Sequence, residues 1–567
     1  MSRISLSLLL LSLTSISTHA ATLQLCPGTP LASPGALSED FIGPDGMRMR
    51  AIVTEEPGKP LPNCRVVDLG VGTTGVQALR FLAPDAEPGR TILLQGVEGE
   101  GRNGRFAITE HTVVSDRPPP AKPGPLPFGR NLLDAMKIRT FGSEERVQAT
   151  LEDGKLRLTC SAGERPAGVL LTGPWVLPRA DGALRVRHTG TGEFAWQVAD
   201  AKAAARESAL DMGVLRKAAN ASTQLTLPRE LDRGSWRQFT LVCPKQPAVL
   251  SIDELALLPA AMTDPLRAPR ATWAWSSNEW RERADELLKW AMNQHIGEVF
   301  ISVPLSEGRV TDPAALKTFI RSAGERGIAV SAVEGDPHMV LPEKREAAVA
   351  RARAYAAYNA AAAPDERLKT VQFDVEPYLL PTHVLPREEQ DRHYLALAAQ
   401  LREATGKLAL EFVVPYWWYD KPALLRDLAR HADALTVMDY RTDAEQIYRF
   451  AAPFLDWGVE HGKRVRIALE AGPIGAEVQR RYQRTAPGAS GELLLFEVDG
   501  HKILLLLKVA APHPQAKTYA LSGNRPIDGS ATTFHTDKPA LLRLLPQLER
   551  TFGAWKSFAG IALHELR

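Results

Sequence analysis

The segment Thr370-Val371-Gln372-Phe373-Asp374-Val375-Glu376-Pro377-Tyr378 sets two carboxylates two positions apart within an apolar alternation. Side chains of an extended strand point alternately to opposite faces. Val371, Phe373 and Val375 then face one way, and Gln372, Asp374 and Glu376 the other. Neighbouring acids that are partly withdrawn from water raise one another's pKa. A carboxyl raised in this way stays protonated near neutral pH and can give its proton to a leaving oxygen. Glu376 is therefore the candidate acid/base residue, with Asp374 tuning it. The competing reading is that both acids only satisfy polar partners inside the fold.

A second acid ends a similar run, Arg464-Val465-Arg466-Ile467-Ala468-Leu469-Glu470. Parity turns Val465, Ile467 and Leu469 outward and Glu470 inward. Glu470 is either a second reacting carboxylate or a partner of Arg466 or Tyr440. Tyr440, in Met438-Asp439-Tyr440-Arg441, could hydrogen-bond substrate or a carboxylate, while Asp439 and Arg441 could form a surface pair. Aromatic residues crowd the same neighbourhood. Tyr416, Trp417 and Trp418 follow Pro415, and Tyr378, Trp273 and Trp275 lie near other strand ends. Flat aromatic faces stack on sugar rings and bury large areas, although any one tryptophan could equally be core. Asp336, His338 and His564 are further candidates to line the opening; Asp336 and His338 could instead be turn residues.

These residues need a frame that brings them together. After residue 270 strand-like runs alternate with helical stretches, the pattern of βα units around a parallel sheet. Eight strands are expected at 271–276, 298–303, 328–334, 370–376, 408–414, 434–440, 465–470 and 560–564. Eight units in this length predict an α/β fold with a C-terminal (β/α)8 TIM-like barrel at 271–567, whose active site lies at the strands' C-terminal ends. An open doubly wound sheet is the alternative, but Ser276-Ser277-Asn278 is not the glycine-rich turn that it would bring. The connection between the last two strands is long, and its runs 492–498 and 503–509 flank Asp499-Gly500 as a β-hairpin.

Ahead of the barrel, β-type runs predict a small β-rich domain at 21–116, a Pro-rich linker at 117–127 and a jelly-roll-like β-sandwich at 128–262, either a sugar-binding module or a spacer. Residues 1–20 read as a signal peptide, with Arg3 before a short apolar stretch and a cut after Ala20; an N-terminal anchor is the alternative. Four cysteines allow three pairings, and the proline-rich break favours Cys26 with Cys64 and Cys160 with Cys243. A disulfide-bonded chain with a leader is expected in the periplasm or outside the cell. The net charge of +2 gives no argument for nucleic acid. No later segment reads as a membrane span. No His/Asp spacing commits to a metal, no cofactor motif is present, and no Gly-X-Ser-X-Gly elbow occurs.

With those residues in view, the barrel resembles glycoside hydrolases of the (β/α)8 type. Asp374-Val375-Glu376 and Met438-Asp439-Tyr440 are similar to the strand-four and strand-six motifs of family 18 chitinases, although the longer motif would place acids where Lys369 and Gln372 stand. Glu376-Pro377 and Glu470 are similar to the acid and nucleophile of retaining glycosidases, where Val375 replaces the usual Asn. Phrases within 373–378, 416–420 and 557–564 also resemble uncharacterised bacterial secreted barrels. The resemblance implies a glycoside hydrolase with a carbohydrate substrate. Glu376 would be acid/base and Glu470 nucleophile or second carboxylate, and a separation of about 5 Å would imply retention, about 6.5–9.5 Å inversion. A non-catalytic polysaccharide-binding or export-accessory protein on the same scaffold is the rival reading. A hydrolase acting on another polymer bond is a third.

Overall fold

The structure, a computed structural model, describes residues 20–28, 30, 37–42, 47–54, 60–72, 75–82, 89–99, 106–114, 123–143, 145–203, 209–261, 268–380, 384–498 and 500–567. The expected leader, apart from Ala20, and residues 117–122 of the expected linker lie outside them. The chain divides into two compact units, one of residues 1–120, 380–388 and 475–528, the other of 121–379, 389–474 and 529–567.

In the second unit eight parallel strands close into a barrel: β1 (Arg270–Ala274), β2 (Ile296–Ile301), β3 (Ala329–Glu334), β4 (Thr370–Phe373), β5 (Ala409–Pro415), β6 (Ala434–Met438), β7 (Arg464–Glu470) and β8 (Phe558–His564). Each falls where the sequence pattern put it. β4 is shorter than expected, ending at Phe373, so Asp374 and Glu376 stand on the turn beyond it, ahead of a 3-10 turn at Pro377–Leu379. The same unit holds two five-stranded antiparallel sheets that share one apolar core, including Trp196, Phe239 and Leu250. The Cys160–Cys243 disulfide joins the end of one sheet's Lys155–Cys160 strand to the residue after Trp236–Val242 of the other. This sandwich docks on the helix Ala444–His461, where Tyr448 donates to Leu126 O at 2.6 Å and Asp456 accepts from Arg179 N at 2.7 Å.

The lower interior of the barrel is charged. Arg466, 4% exposed, donates to Glu298 at 2.8 Å and lies 3.7 Å from Glu411. Lys369 and Ser331 also reach Glu298, at 2.7 and 2.8 Å. Gln372 donates to Glu411 at 2.8 Å and accepts from Trp273 Nε1 at 2.6 Å. Burial alone would raise the Glu298 pKa, but the charges of Arg466 and Lys369 outweigh it and hold the carboxyl below its ordinary range. An apolar layer of Ala271, Phe300, Val333, Ala468 and Ala562 lies within the barrel, with Trp273 and Tyr440 packed against it.

The other unit shows what the long β7–β8 connection does. Its strands Gly491–Val498 and His501–Ala511 pair as the expected hairpin, although Asp499 of the turn is outside the described residues. With Glu477–Arg484 and Lys517–Ile527 they form a seven-stranded sheet whose other members, Val76–Phe81, Thr91–Val97 and Ala107–Val114, come from the start of the chain. Residues 475–528 thus leave the barrel to complete the N-terminal β unit. Leu23, Leu25 and Val53 of a four-stranded sheet share a core with Leu494, Phe496, Ile503 and Leu505 of the insertion. The Cys26–Cys64 disulfide lies in this unit.

Candidate active site

Four strand ends supply the acids and their partners. Asp374 and Glu376 follow β4, Asp439 and Tyr440 follow β6, Glu470 ends β7 and His564 ends β8. Glu470 Oε2 accepts from His564 Nδ1 at 2.7 Å, and its Oε1 accepts from Gly472 N at 2.6 Å. Tyr378 donates to Glu376 Oε2. Protonated, His564 acts on both Asp374 and Glu376, and Tyr440 feels Glu470, Asp374 and Glu376 together. The acids from β4 and β7 therefore converge on one pair of rings, with Tyr440 stacked 6.2 Å from His564 at 21°.

Burial sets the protonation pattern. It pushes Asp374 up to about 7, reinforced by the neighbouring Glu376 and opposed by His564. Glu376 is raised by burial, against the Tyr378 hydrogen bond and the His564 charge. Asp374 Oδ1 has no hydrogen-bond partner among the described residues. His564 balances opposing influences. Burial lowers its pKa, yet the bond to Glu470 and the Glu470 charge carry it above the usual value. The Trp275 indole opposes this, because Nε1–H is a donor only. It donates to His564 Nε2 at 3.1 Å, which fixes a neutral ring with its proton on Nδ1 as long as that bond holds.

The aromatic residues separate into open and closed sets. Trp417 is 44% exposed and packs edge-on against Tyr378 at 5.2 Å, next to Glu376. Trp275 is 39% exposed beside His564. Trp418, expected on the same platform, is 3% exposed and meets Tyr394 edge-on at 4.8 Å, so it is core. The 3-10 turn Tyr416–Asp420 explains the split, since its tight winding sends adjacent rings to opposite sides. Trp273 is likewise no open platform: it stacks on Phe300 at 5.8 Å and bonds Gln372 inside the barrel. Tyr416 stacks on Phe450 at 4.4 Å and accepts from Arg441.

Other expectations are redirected. Asp336 and His338 bond each other at 2.8 Å, and Asp336 caps the 3-10 turn Pro337–Val340, as turn residues do. Glu470 takes His564 rather than Arg466, which serves Glu298 and Glu411. No Asp439–Arg441 surface pair forms. Asp439 is fully buried, both carboxylate oxygens lack a hydrogen-bond partner among the described residues, and burial raises its pKa well above the usual value despite the Arg441 charge.

Three contributors carried no sequence signal. A Cβ on Gly335 would lie 3.2 Å from Asp374 O and 3.5 Å from the Trp275 ring, so glycine admits both. Tyr394 is fully buried on the helix Arg387–Thr405, within electrostatic reach of Asp374 and Glu376. Thr533 bridges the Glu470 backbone and donates to Gly472 O at 2.6 Å, fixing the turn that presents Glu470. Among the described residues no cluster of three His, Cys, Asp or Glu side chains could hold a metal ion, and no helix is long and apolar enough to cross a membrane.

No protein-family model matches the sequence, and no curated protein matches it. Among solved structures, the chain is similar to the CBM22-1 and GH10 modules of the Clostridium thermocellum endo-1,4-beta-D-xylanase 10B in complex with xylohexaose. The identity is 9% over 60% of this chain and 82% of that one, at a TM-score of 0.27. It is also similar to a family 29 carbohydrate binding module, at 12% identity over 22% of this chain and 80% of that one with a TM-score of 0.18. A variant of such a module in complex with mannohexaose matches at 12% over 22% and 83%, again at 0.18. The site itself, and not these likenesses, carries the functional reading.

Proposed function

We propose that the barrel is a glycoside hydrolase that cleaves a polysaccharide or oligosaccharide in the periplasm or outside the cell. Glu376 protonates the leaving oxygen. Burial raises Glu376 and favours its protonated form, and Glu376 in turn helps to raise Asp374, to about 7. Glu470, oriented by His564 Nδ1 and Gly472 N, is the second carboxylate, acting on the reacting carbon or on an attacking water. Tyr440 stands against His564 within reach of the charge that develops. Trp417 and Trp275 offer exposed faces to sugar rings. The two disulfides support an oxidising compartment.

The observation that carries this reading is the raised Asp374–Glu376 pair at the strand ends, where the same His564 that bonds Glu470 also acts on both acids. Uncompensated acids with displaced pKa values in a cleft are the usual mark of chemistry. The test is release of reducing ends from a panel of neutral, amino-sugar and acidic polysaccharides across pH. Because the acid must be protonated, activity is expected to fall as pH rises through the Glu376 pKa, which burial displaces upward from the ordinary carboxylate range.

A specific observation favours the rival reading. Both Glu470 oxygens and one Glu376 oxygen already have partners within the protein. A binding protein on a barrel scaffold would retain polysaccharide on the panel and release nothing at any pH.

A further inference from the structure

We propose that the sandwich carries a second, independent binding site for an acidic polysaccharide, on the outer face of one of its sheets. A groove of about 710 Å3 crosses the strands Lys155–Cys160, Ala248–Pro259 and Gly182–Gly190 and reaches the start of Ala218–Thr226. That volume is within the range of ligand sites. Its walls carry Arg157, Lys217, Thr159, Thr189, Thr191 and Ser251. Its open floor includes Val249, 47% exposed.

The groove is rich in donors and poor in acceptors. No Asp or Glu lines it among the described residues. Two acids of the same sheet are already engaged, Asp253 with Lys155 and Glu254 with Arg185 and Arg187. Thr191 Oγ1 accepts from Val249 N at 3.0 Å and Thr189 Oγ1 from Asn220 N at 3.1 Å. Each hydroxyl is thereby left with its own proton to donate. Arg157 and Lys217 are exposed and face no described carboxylate. Four donors, two of them cationic, call for an anionic ligand.

Spacing makes that ligand a polymer. Arg157 and Lys217 stand on opposite sides of the groove across three strand intervals, about 14 Å at ordinary strand spacing. No single carboxylate or phosphate bridges such a gap, whereas a chain of uronic acid units presents carboxylates along its length. Hydroxyls between the cations suit the sugar hydroxyls, and Val249 suits a ring face. The groove lines no part of the barrel mouth, so this inference does not rest on the hydrolase reading.

The test is affinity electrophoresis of the full-length protein in gels containing polygalacturonate, beside gels containing the same polymer fully methyl-esterified. Expected is retardation by the charged polymer alone, weakened by salt. Arg157→Ala with Lys217→Ala should weaken it about tenfold or more, with the melting temperature unchanged. Arg157→Lys with Lys217→Arg should retain it. No retardation by polygalacturonate at low salt, equal retardation by both polymers, or full binding by the double alanine variant would each overturn the proposal.

Discussion

The lower interior and the mouth of the barrel are both acidic, yet they treat charge in opposite ways. Below, Glu298 and Glu411 meet Arg466, Lys369, Ser331, Gln372 and Thr436, so each acid is answered by a cation or a donor. Above, Asp374 and Asp439 have carboxylate oxygens without partners among the described residues, and their pKa values rise. A compensated buried charge is structural, because its two partners hold each other in one geometry. An uncompensated one stays sensitive to whatever enters beside it. The comparison therefore assigns stability to one layer and chemistry to the other.

Breaking the lower layer should have the largest effect. Arg466→Ala leaves Glu411 without its cation and Glu298 with Lys369 alone, and is expected to cost about 3–5 kcal/mol, a loss that chemical denaturation reads directly. Trp418→Ala removes a buried ring from against Tyr394 and should cost about 3–5 kcal/mol in the same assay, with little change in KM for the protein that remains folded. The adjacent Trp417→Ala should do the reverse, raising KM roughly tenfold with the melting temperature unchanged. If both variants behaved alike, the division of the 3-10 turn into a core ring and an exposed ring would fail.

The mouth also makes a pH prediction with a definite sign. Asp374 is raised on folding from 3.8 to about 7, so the native state holds its proton more tightly than the unfolded chain. Its contribution to stability is complete below pH 3.8 and is lost as pH rises to about 7. Asp374→Asn should flatten that slope, measured as denaturant midpoint against pH. An unchanged slope would show that Asp374 is not the group responsible. Asp439, raised by the same cause, contributes in the same direction.

The sequence was most legible where periodicity is strongest. All eight barrel strands could be placed because parallel strands buried on both faces read as apolar runs between helices. The inward parity of Gln372 and Glu470 followed from the same alternation. The fate of residues 475–528 was not legible, because a β-hairpin looks the same whether it extends the barrel or joins a sheet hundreds of residues away. Single aromatic residues were the weakest ground. Nothing in Tyr416-Trp417-Trp418 says which ring turns inward; the tight turn decides it. Gly335, Tyr394 and Thr533 lie at the site through tertiary proximity alone, and no local pattern marks them.

The most direct test of the account is turnover by Glu376→Gln beside the parent enzyme, on the first polysaccharide of the panel to yield reducing ends. The variant keeps the shape of the side chain and removes its proton exchange. The account predicts a fall of about a hundredfold to ten-thousandfold with an unchanged melting curve. Turnover equal to the parent's would contradict it.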